Sequence, residues 1–298
     1  RDFEVLLIDN GSQDGSQEYV EKAYPWVRLI ALKENTGFCG AVNEGIRNSS
    51  SPYVILLNND TIADKDFVGE LIRAIEEKPR AFSCQGKLLQ MKDKNKIDDA
   101  GNYYCALGWA FADGKGKPEE NYNREKKIFA SCAGAAIYRR SVFKKIGYFD
   151  EMHFAYLEDV DIGYRAQIYG YRNVYCPKAI VYHVGSGTSG SKYNSFKVKL
   201  AARNNIYLNY KNMPLIQCII NFVPISIGCL IKWRFFKGIG FEKDYVEGIK
   251  EGIRTRKQCR KVPFSREHIL YYCRIEWKLI QNTFIYAWEY LKRKLPKQ

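Results

Sequence analysis

Nine cysteines are present, yet none stands in a C-x-x-C pair or at zinc-ligand spacing, and their number is odd. That argues against a zinc ribbon and against a disulfide framework, and it favours a reducing, cytosolic compartment. Only three histidines occur in 298 residues, so one placed at a strand end counts for more than it would elsewhere. No G-x-G-x-x-G follows the first apolar run, which ends in Asp9-Asn10-Gly11-Ser12, and this ranks a dinucleotide-dependent dehydrogenase low. Internal repeats, low-complexity tracts and RNA-binding motifs are absent too, and no nucleic acid is expected as a partner. No secretory signal is visible, because Arg1-Asp2 leads straight into Val5-Leu6-Leu7-Ile8. A start without Met and almost inside a strand implies that something upstream is missing.

The composition, 46% hydrophobic and 27% charged, is that of a globular protein with a sizeable core. Its net charge of +14 is unevenly placed. Residues 192–298 hold 22 Lys+Arg against 7 Asp+Glu, a net +15, which leaves −1 for residues 1–191. A near-neutral body of 1–191 followed by a basic tail of 192–298 points to an anionic partner for the tail.

Apolar runs at 3–8, 27–32 and 53–57 predict strands. Residues 17–23, 40–47 and 65–77 predict helices. Alternating strands and helices argue for an α/β fold with a mostly parallel sheet flanked by helices, whose ligands gather at the carboxyl ends of the strands. The polar, Tyr-rich stretch 92–125 reads as long loops or short strands forming a lid or acceptor rim. Residues 173–184 read as a strand that carries His183 into a Gly/Ser loop at 185–190.

Within the tail, 214–231 is strongly apolar but contains Pro224 and Gly228. It reads as a helix pair lying in or dipping into a membrane face, with a buried hydrophobic hairpin as the alternative. Residues 270–295 predict a second long helix, aromatic-rich and ending in Lys292-Arg293-Lys294, which leans the choice towards an anionic membrane surface.

The most informative segment runs from Ala133-Gly134-Ala135, read as a small-residue turn, to Glu158-Asp159-Val160-Asp161. Three carboxylates within four residues, beside apolar neighbours, raise one another's pKa, and a general base is expected there. The alternative is an acidic first turn complementing a helix dipole, with Asp161 and Arg165 as an ordinary i,i+4 pair.

Taken in order and spacing, Asp9-Asn10-Gly11-Ser12, Glu34-Asn35-Thr36-Gly37, Asn58-Asn59-Asp60 and Glu158-Asp159-Val160-Asp161 resemble the motifs of inverting family 2 glycosyltransferases. The flavour is that of bacterial rhamnosyltransferase-like enzymes of surface polysaccharide assembly. The resemblance implies a GT-A fold over about the first 190 residues, lacking the family's first strand, which would lie roughly 30 residues upstream. It further implies a donor site in which Asp9 meets the base or ribose, the Asn35 and Gly37 loop holds the nucleotide with Asn43 nearby, and Asn58 and Asn59 reach the ribose. By the same likeness Asp60 and His183 would hold Mn²⁺ or Mg²⁺, Asn58 standing where a D-x-D-type motif has its first Asp. Asp159 would be the base, with Glu158 on the acceptor or on Asp159, and Asp161 structural. Gly134, Ala135 and Arg203 are expected to line the acceptor side. The implied activity is transfer from a dTDP- or UDP-sugar to a lipid-linked or polysaccharide acceptor. It would take place in the cytoplasm, peripherally on the inner face of the cell membrane. The alternative is a non-catalytic nucleotide-sugar-binding or scaffold protein that keeps the fold.

Overall fold

The computed structural model describes residues 3–185 and 193–294. The first third follows the expected alternation: β1 (Leu6–Asp9), α1 (Ser16–Ala23), β2 (Arg28–Ala31), α2 (Gly37–Asn48) and β3 (Tyr53–Leu57). β1 and β2 pair in parallel. Then come β4 (Thr61–Ala63), α3 (Phe67–Glu76), β5 (Ala81–Gln90), β6 (Asp93–Asp99), β7 (Asn102–Cys105), β8 (Trp109–Ala112), β9 (Lys126–Ile128) and β10 (Ala135–Arg139). α4 (Arg140–Ile146), α5 (Glu158–Ile168) and β11 (Arg172–His183) complete the α/β body. Four helices follow: α6 (Ser195–Asn212), α7 (Leu215–Lys237), α8 (Glu242–Thr255) and α9 (Ile269–Lys294).

Among the described residues the main sheet has seven strands, with the path β3-β10-β5-β11-β4 and with β6 on β5 and β9 on β11. It is mixed, which corrects the expectation of a mostly parallel sheet. β11 runs parallel to β5, whereas β10 is antiparallel to both β3 and β5 and β4, β6 and β9 pair antiparallel as well. The parallel β5–β11 pair is reached through the helices α4 and α5, whereas β6, β9 and β10 follow loops or tight turns and pair antiparallel. Ala133-Gly134-Ala135 is likewise less of a turn than expected. Ala135 opens β10 opposite Leu57.

α3 turns Phe67, Leu71, Ala74 and Ile75 to the sheet, an i, i+4, i+7, i+8 stripe that packs against β5, β10 and β11. On the other face α2, α4 and α5 close over Phe82, Tyr138, Phe143 and Phe149. A third cluster joins Tyr104, Phe129 and Tyr164 of the body to Leu208, Met213, Ile275 and Leu279 of the basic region. The change of character near residue 192 is therefore a change of surface, while the core runs across it. Each large side chain in these clusters contributes about 1.5–3 kcal/mol by leaving water.

The apolar stretch forms a single helix, α7, with Pro224 inside it, in place of the expected helix pair. It is not buried either. Leu215, Ile216, Ile219, Phe222, Val223 and Leu230 are all more than half exposed. The Gly/Ser loop expected at 185–190 lies, beyond Gly185, outside the described residues.

Candidate active site

The turns after β1 and β2 are joined by side-chain hydrogen bonds at the carboxyl ends of those strands, where backbone and side-chain dipoles can face a ligand. Asp9 is buried, and its Oδ2 accepts from the Ser12 amide at 3.0 Å and Gln17 Nε2 at 2.7 Å. Burial pushes this carboxyl up, but the hydrogen bonds from Ser12, Gln17 and Gly11 prevail and hold it below its usual range. Asn10, which stands in the Asp9-Asn10-Gly11-Ser12 motif without an expected role of its own, ties the two loops together. Its Nδ2 donates to Asn35 Oδ1 (3.0 Å) and the Gly37 carbonyl (3.1 Å), and its Oδ1 accepts from the Thr36 amide (2.9 Å).

Asn35 holds its own loop, since the same Oδ1 also accepts from the Gly37 amide at 2.9 Å. Gly37 sits at φ 75°, and a Cβ there would come within 2.5 Å of the Phe154 ring, so only glycine fits. Asn43 is placed differently from expectation. It is buried, donates to the Phe149 carbonyl and Glu151 Oε1 (both 2.8 Å) and accepts from the Phe149 amide (3.0 Å). Both polar ends of its amide are committed to the chain itself, which removes it from the donor contacts.

After β3, Asn58 is fixed through its backbone to the Gly134 carbonyl (2.9 Å) and its side chain lies over Gly134. Asn59 is exposed on the turn. Ala135 is fully buried in the core, packed in the cluster that α3 forms with the sheet, so it lines no acceptor surface. At the far end of β11, His183 stands opposite Thr61 of β4, which brings its Nε2 within 3.3 Å of Asp60 Oδ1. Its Nδ1 pairs with Asp98 Oδ2 at 2.8 Å, and Lys115 holds the other Asp98 oxygen at 2.9 Å. The Asp98 hydrogen bond, with the Asp60 charge behind it, holds the imidazole above its ordinary pKa despite partial burial.

The second half of the site is the start of α5. Glu158 and Asp159 are half-buried. Asp159 Oδ2 accepts from Asn102 Nδ2 of β7 at 2.6 Å and Oδ1 from the Val160 amide at 2.7 Å, while Glu158 Oε2 is buried with no partner among the described residues. Withdrawal from water pushes both carboxyls well up, and each is raised further by carboxylate neighbours, Glu158 by Asp159 and Asp159 by Asp99. Asp99 is itself raised by burial, although Gln85 Nε2 (2.8 Å) and the Gly101 amide (2.7 Å) donate to it. Asp98 and Asp99, consecutive on β6, thus serve the two halves of the site in turn. Neither was found in the sequence, because 93–99 is so charged that it reads as a solvated loop.

Asp161 behaves as a structural residue. Fully buried, it accepts from Arg165 (2.7 and 3.0 Å), Lys211 (2.9 Å) and Asn212 (2.7 Å), and these cations hold its carboxyl far below the usual range against burial.

The backbone leading to Glu158 is unusual. Phe154, Tyr156 and Leu157 have φ of 62°, 72° and 65°, and Phe154 (ψ −64°) centres a γ-turn closed by the Ala155 amide on the His153 carbonyl at 2.7 Å. Left-handed non-glycine residues cost roughly 1–3 kcal/mol each, and such turns are rare. Arg203 lies beside this loop, but its guanidinium donates to the carbonyls of Met152 (3.0 Å) and His153 (3.1 Å) and to Glu251 (3.1 Å). Its expected acceptor role is corrected on that ground. A cavity of about 770 Å³ lined by Lys78, Arg80, Lys127 and Arg172 opens at the opposite ends of β5 and β11 and shares no residue with this site.

Comparison with known proteins decides the family. The sequence profile described as Glycosyl transferase family 2 matches residues 1–147. An N-acetylglucosaminyl-diphospho-decaprenol L-rhamnosyltransferase of Mycobacterium tuberculosis is 31% identical over 216 residues, spanning 64% of this chain and 69% of the relative. The chain belongs to glycosyl transferase family 2. A poly-β-1,6-N-acetyl-D-glucosamine synthase of Staphylococcus epidermidis is 24% identical over 63% of the chain, which spans 44% of that protein. Among solved structures, GalNAc-T7 crystallised with UDP, GalNAc and Mn²⁺ superposes with a TM-score of 0.55 at 16% identity, over 69% of this chain and 41% of that one. This family 2 chain therefore has the GT-A type of fold, a mixed sheet flanked by helices.

Proposed function

We propose that this glycosyltransferase moves a sugar, with inversion, from a dTDP- or UDP-sugar to a hydroxyl of a lipid-linked or polysaccharide acceptor in cell-surface polysaccharide synthesis. The observation that carries the reading is the Asp159 carboxylate, held by Asn102 at 2.6 Å and raised by its surroundings. A base whose pKa lies near the working pH takes a proton best. The acceptor hydroxyl gives its proton to Asp159, its oxygen bonds to the anomeric carbon, and the bond from that carbon to the diphosphate breaks on the opposite face. The diphosphate leaves with the bonding pair. Asp9 and the Asn10-braced loops would support the nucleoside end, and Glu158 would hydrogen-bond a second acceptor hydroxyl or hold Asp159.

Asp60 and His183 suit a divalent ion. Their 3.3 Å separation is close to the roughly 3 Å between neighbouring ligands of an octahedral ion with bonds of about 2.1 Å. Asp98 would fix the imidazole so that Nε2 faces the ion. Among the described residues no three His, Cys, Asp or Glu side chains are grouped to enclose a metal, so diphosphate oxygens and water would complete the shell. When bound, Mn²⁺ or Mg²⁺ supplies positive charge against the departing diphosphate.

The outer stripe of α7, together with Leu270, Trp277, Phe284 and Trp288 of α9, is exposed apolar surface within the basic region 192–298. The inner stripe of α7 is fastened. Gln217 and Asn221 donate to Glu276 of α9 (both 2.8 Å), and the Gly228 carbonyl accepts from Trp109 Nε1 (3.2 Å). Although α7 is long and apolar enough to cross a membrane, a helix tied to the body along one face fits a place in the plane of an anionic leaflet, on the cytoplasmic side. That is where a lipid-linked acceptor would be met.

The test incubates the chain with UDP- and dTDP-sugars, Mn²⁺ and a prenyl-diphosphate-linked sugar, and reads product mass and anomeric configuration. An inverted glycoside supports the proposal. Manganese-dependent nucleotide binding without product from any donor would favour the non-catalytic alternative.

A further inference from the structure

The loop of residues 152–157 is strained at three non-glycine positions and leads directly into the Glu158-Asp159 pair, so something must keep it from relaxing. The polar contacts come from α6, which lies in the basic half of the sequence. Asn204, fully buried, donates its amide to the carbonyls of His153, Ala155 and Tyr156, each at 2.8 Å. Arg203 donates to the carbonyls of Met152 and His153 and is itself anchored on Glu251 of α8. From the opposite side the Cys39 amide, in the first turn of α2, donates to the Phe154 carbonyl at 3.1 Å. Between α6 and α2, each carbonyl from residue 152 to 156 is held by a donor outside the loop. The carbonyls of Met152, His153, Ala155 and Tyr156 point at Arg203 and Asn204 in this backbone conformation, and relaxation at Phe154, Tyr156 or Leu157 would turn them away.

We propose that Arg203 and Asn204 are positioning residues for transfer: they clamp the 152–157 loop in its strained form and so set the direction and the dryness of the Glu158-Asp159 carboxyls. The proposal rests on the reading of Asp159 as the base and deepens it. Because the same loop touches the first turn of α2 and leaves no room for a side chain at Gly37, the clamp also sets the base relative to the nucleotide loop.

Titratable groups face the carboxyl pair from every side: Asp99 from β6, Cys132 from the loop before β10, Tyr138 from β10, Cys39 from α2 and Asp161 from α5 itself. None of these is touched by the substitutions below. A movement of the acid limb of the rate profile therefore reports water reaching Glu158 and Asp159.

The experiment compares Asn204→Ala and Arg203→Ala with the parent chain. It reads kcat and KM for donor and acceptor, donor affinity by calorimetry, Tm, hydrogen exchange of amides 152–160, and the pH dependence of kcat. In Asn204→Ala we expect kcat to fall about 100-fold, with donor affinity within about threefold. Exchange across the loop should quicken, and the acid limb should move to lower pH as the carboxyls gain water. Arg203→Ala, which keeps the three Asn204 bonds, should show the same pattern more weakly and serves if Asn204→Ala does not fold. Faster exchange with unchanged kcat and acid limb would overturn the proposal, and so would a loss of kcat with the acid limb fixed. The parent and Asp159→Asn distinguish the two readings. Should Asp159→Asn remain active, the base assignment fails, while exchange across the loop still judges the clamp.

Discussion

Asp60 and His183 form the part of the site whose chemistry can be tested without knowing the sugar. They come from different strands, β11 delivering His183 and the turn after β3 delivering Asp60, and they meet at 3.3 Å, while Asp98 grips the far imidazole nitrogen at 2.8 Å. If both serve one ion, removing either leaves a single protein ligand and should weaken Mn²⁺ binding in the presence of UDP by about 100-fold or more, roughly 2.7 kcal/mol. The double variant Asp60→Ala/His183→Ala should then be little worse than either single one, a coupling of similar size, since the second removal acts on a shell already broken. Asp98→Asn keeps both ligands and loosens only the orientation of the ring, for which about 10-fold to 100-fold is the expected loss. Calorimetric or electron-spin titration of Mn²⁺ in the presence of UDP measures all four. Unchanged titration in His183→Ala, or strictly additive losses in the double variant, would refute the shared-ion reasoning.

Three other outcomes follow from the same geometry. Glu158 has a carboxyl pKa raised by burial and by Asp159; such a group weakens the folded state as pH climbs through the interval between its unfolded and folded values, and the penalty is complete above the latter. Glu158→Gln should therefore raise Tm at about pH 8 and leave it unchanged at about pH 4, and a gain confined to acid pH would contradict the sign. Asp161 binds Arg165, Lys211 and Asn212 in full burial, so Asp161→Ala should destabilise by about 3–5 kcal/mol in denaturant unfolding; a loss near zero would show the cluster to be dispensable. On the outer face of α7, Ile219 and Phe222 are 65% and 69% exposed, and each withdraws about 1–2 kcal/mol worth of apolar surface from water on reaching lipid. Ile219→Asp/Phe222→Asp should cut co-sedimentation with anionic vesicles about 10-fold to 100-fold without lowering Tm, whereas equal partitioning would mean that this face meets something other than lipid.

The early strands were legible as short apolar runs closed by turn residues, as in 53–57, which is β3 to the residue. β5 was not legible. It is buried almost from end to end, yet it contains Ser83, Gln85 and Lys87, and those polar groups are tolerated only because Ser131 and Asn173, Asp99, and Glu119 meet them across sequence distances that no local pattern reveals. The same limit governs the site. Asp60 and His183 could be named through the family resemblance, Asp60 at the D-x-D-like turn and His183 at a strand end before a Gly/Ser loop. Asn43 and Arg203 have side chains suited to ligand contact, and only the fold shows that the chain's own carbonyls and carboxylates occupy them. Asn10, Asp98, Asp99 and Asn204 act through partners 14 to 85 residues away, as Asp99 does with Gln85 and Asp98 with His183, and lie beyond sequence periodicity altogether. The mixed sheet has a similar origin: strand direction after β4 follows from loops whose path composition does not encode.

The central claim is that Asp159 is the base of an inverting transfer, and single-turnover kinetics on Asp159→Asn test it most directly. The amide keeps the shape and the neighbour Asn102 but cannot take a proton, so transfer should fall by about 1,000-fold or more while donor affinity stays within about threefold of the parent. Transfer at a quarter or more of the parent rate, with donor binding intact, would contradict the account.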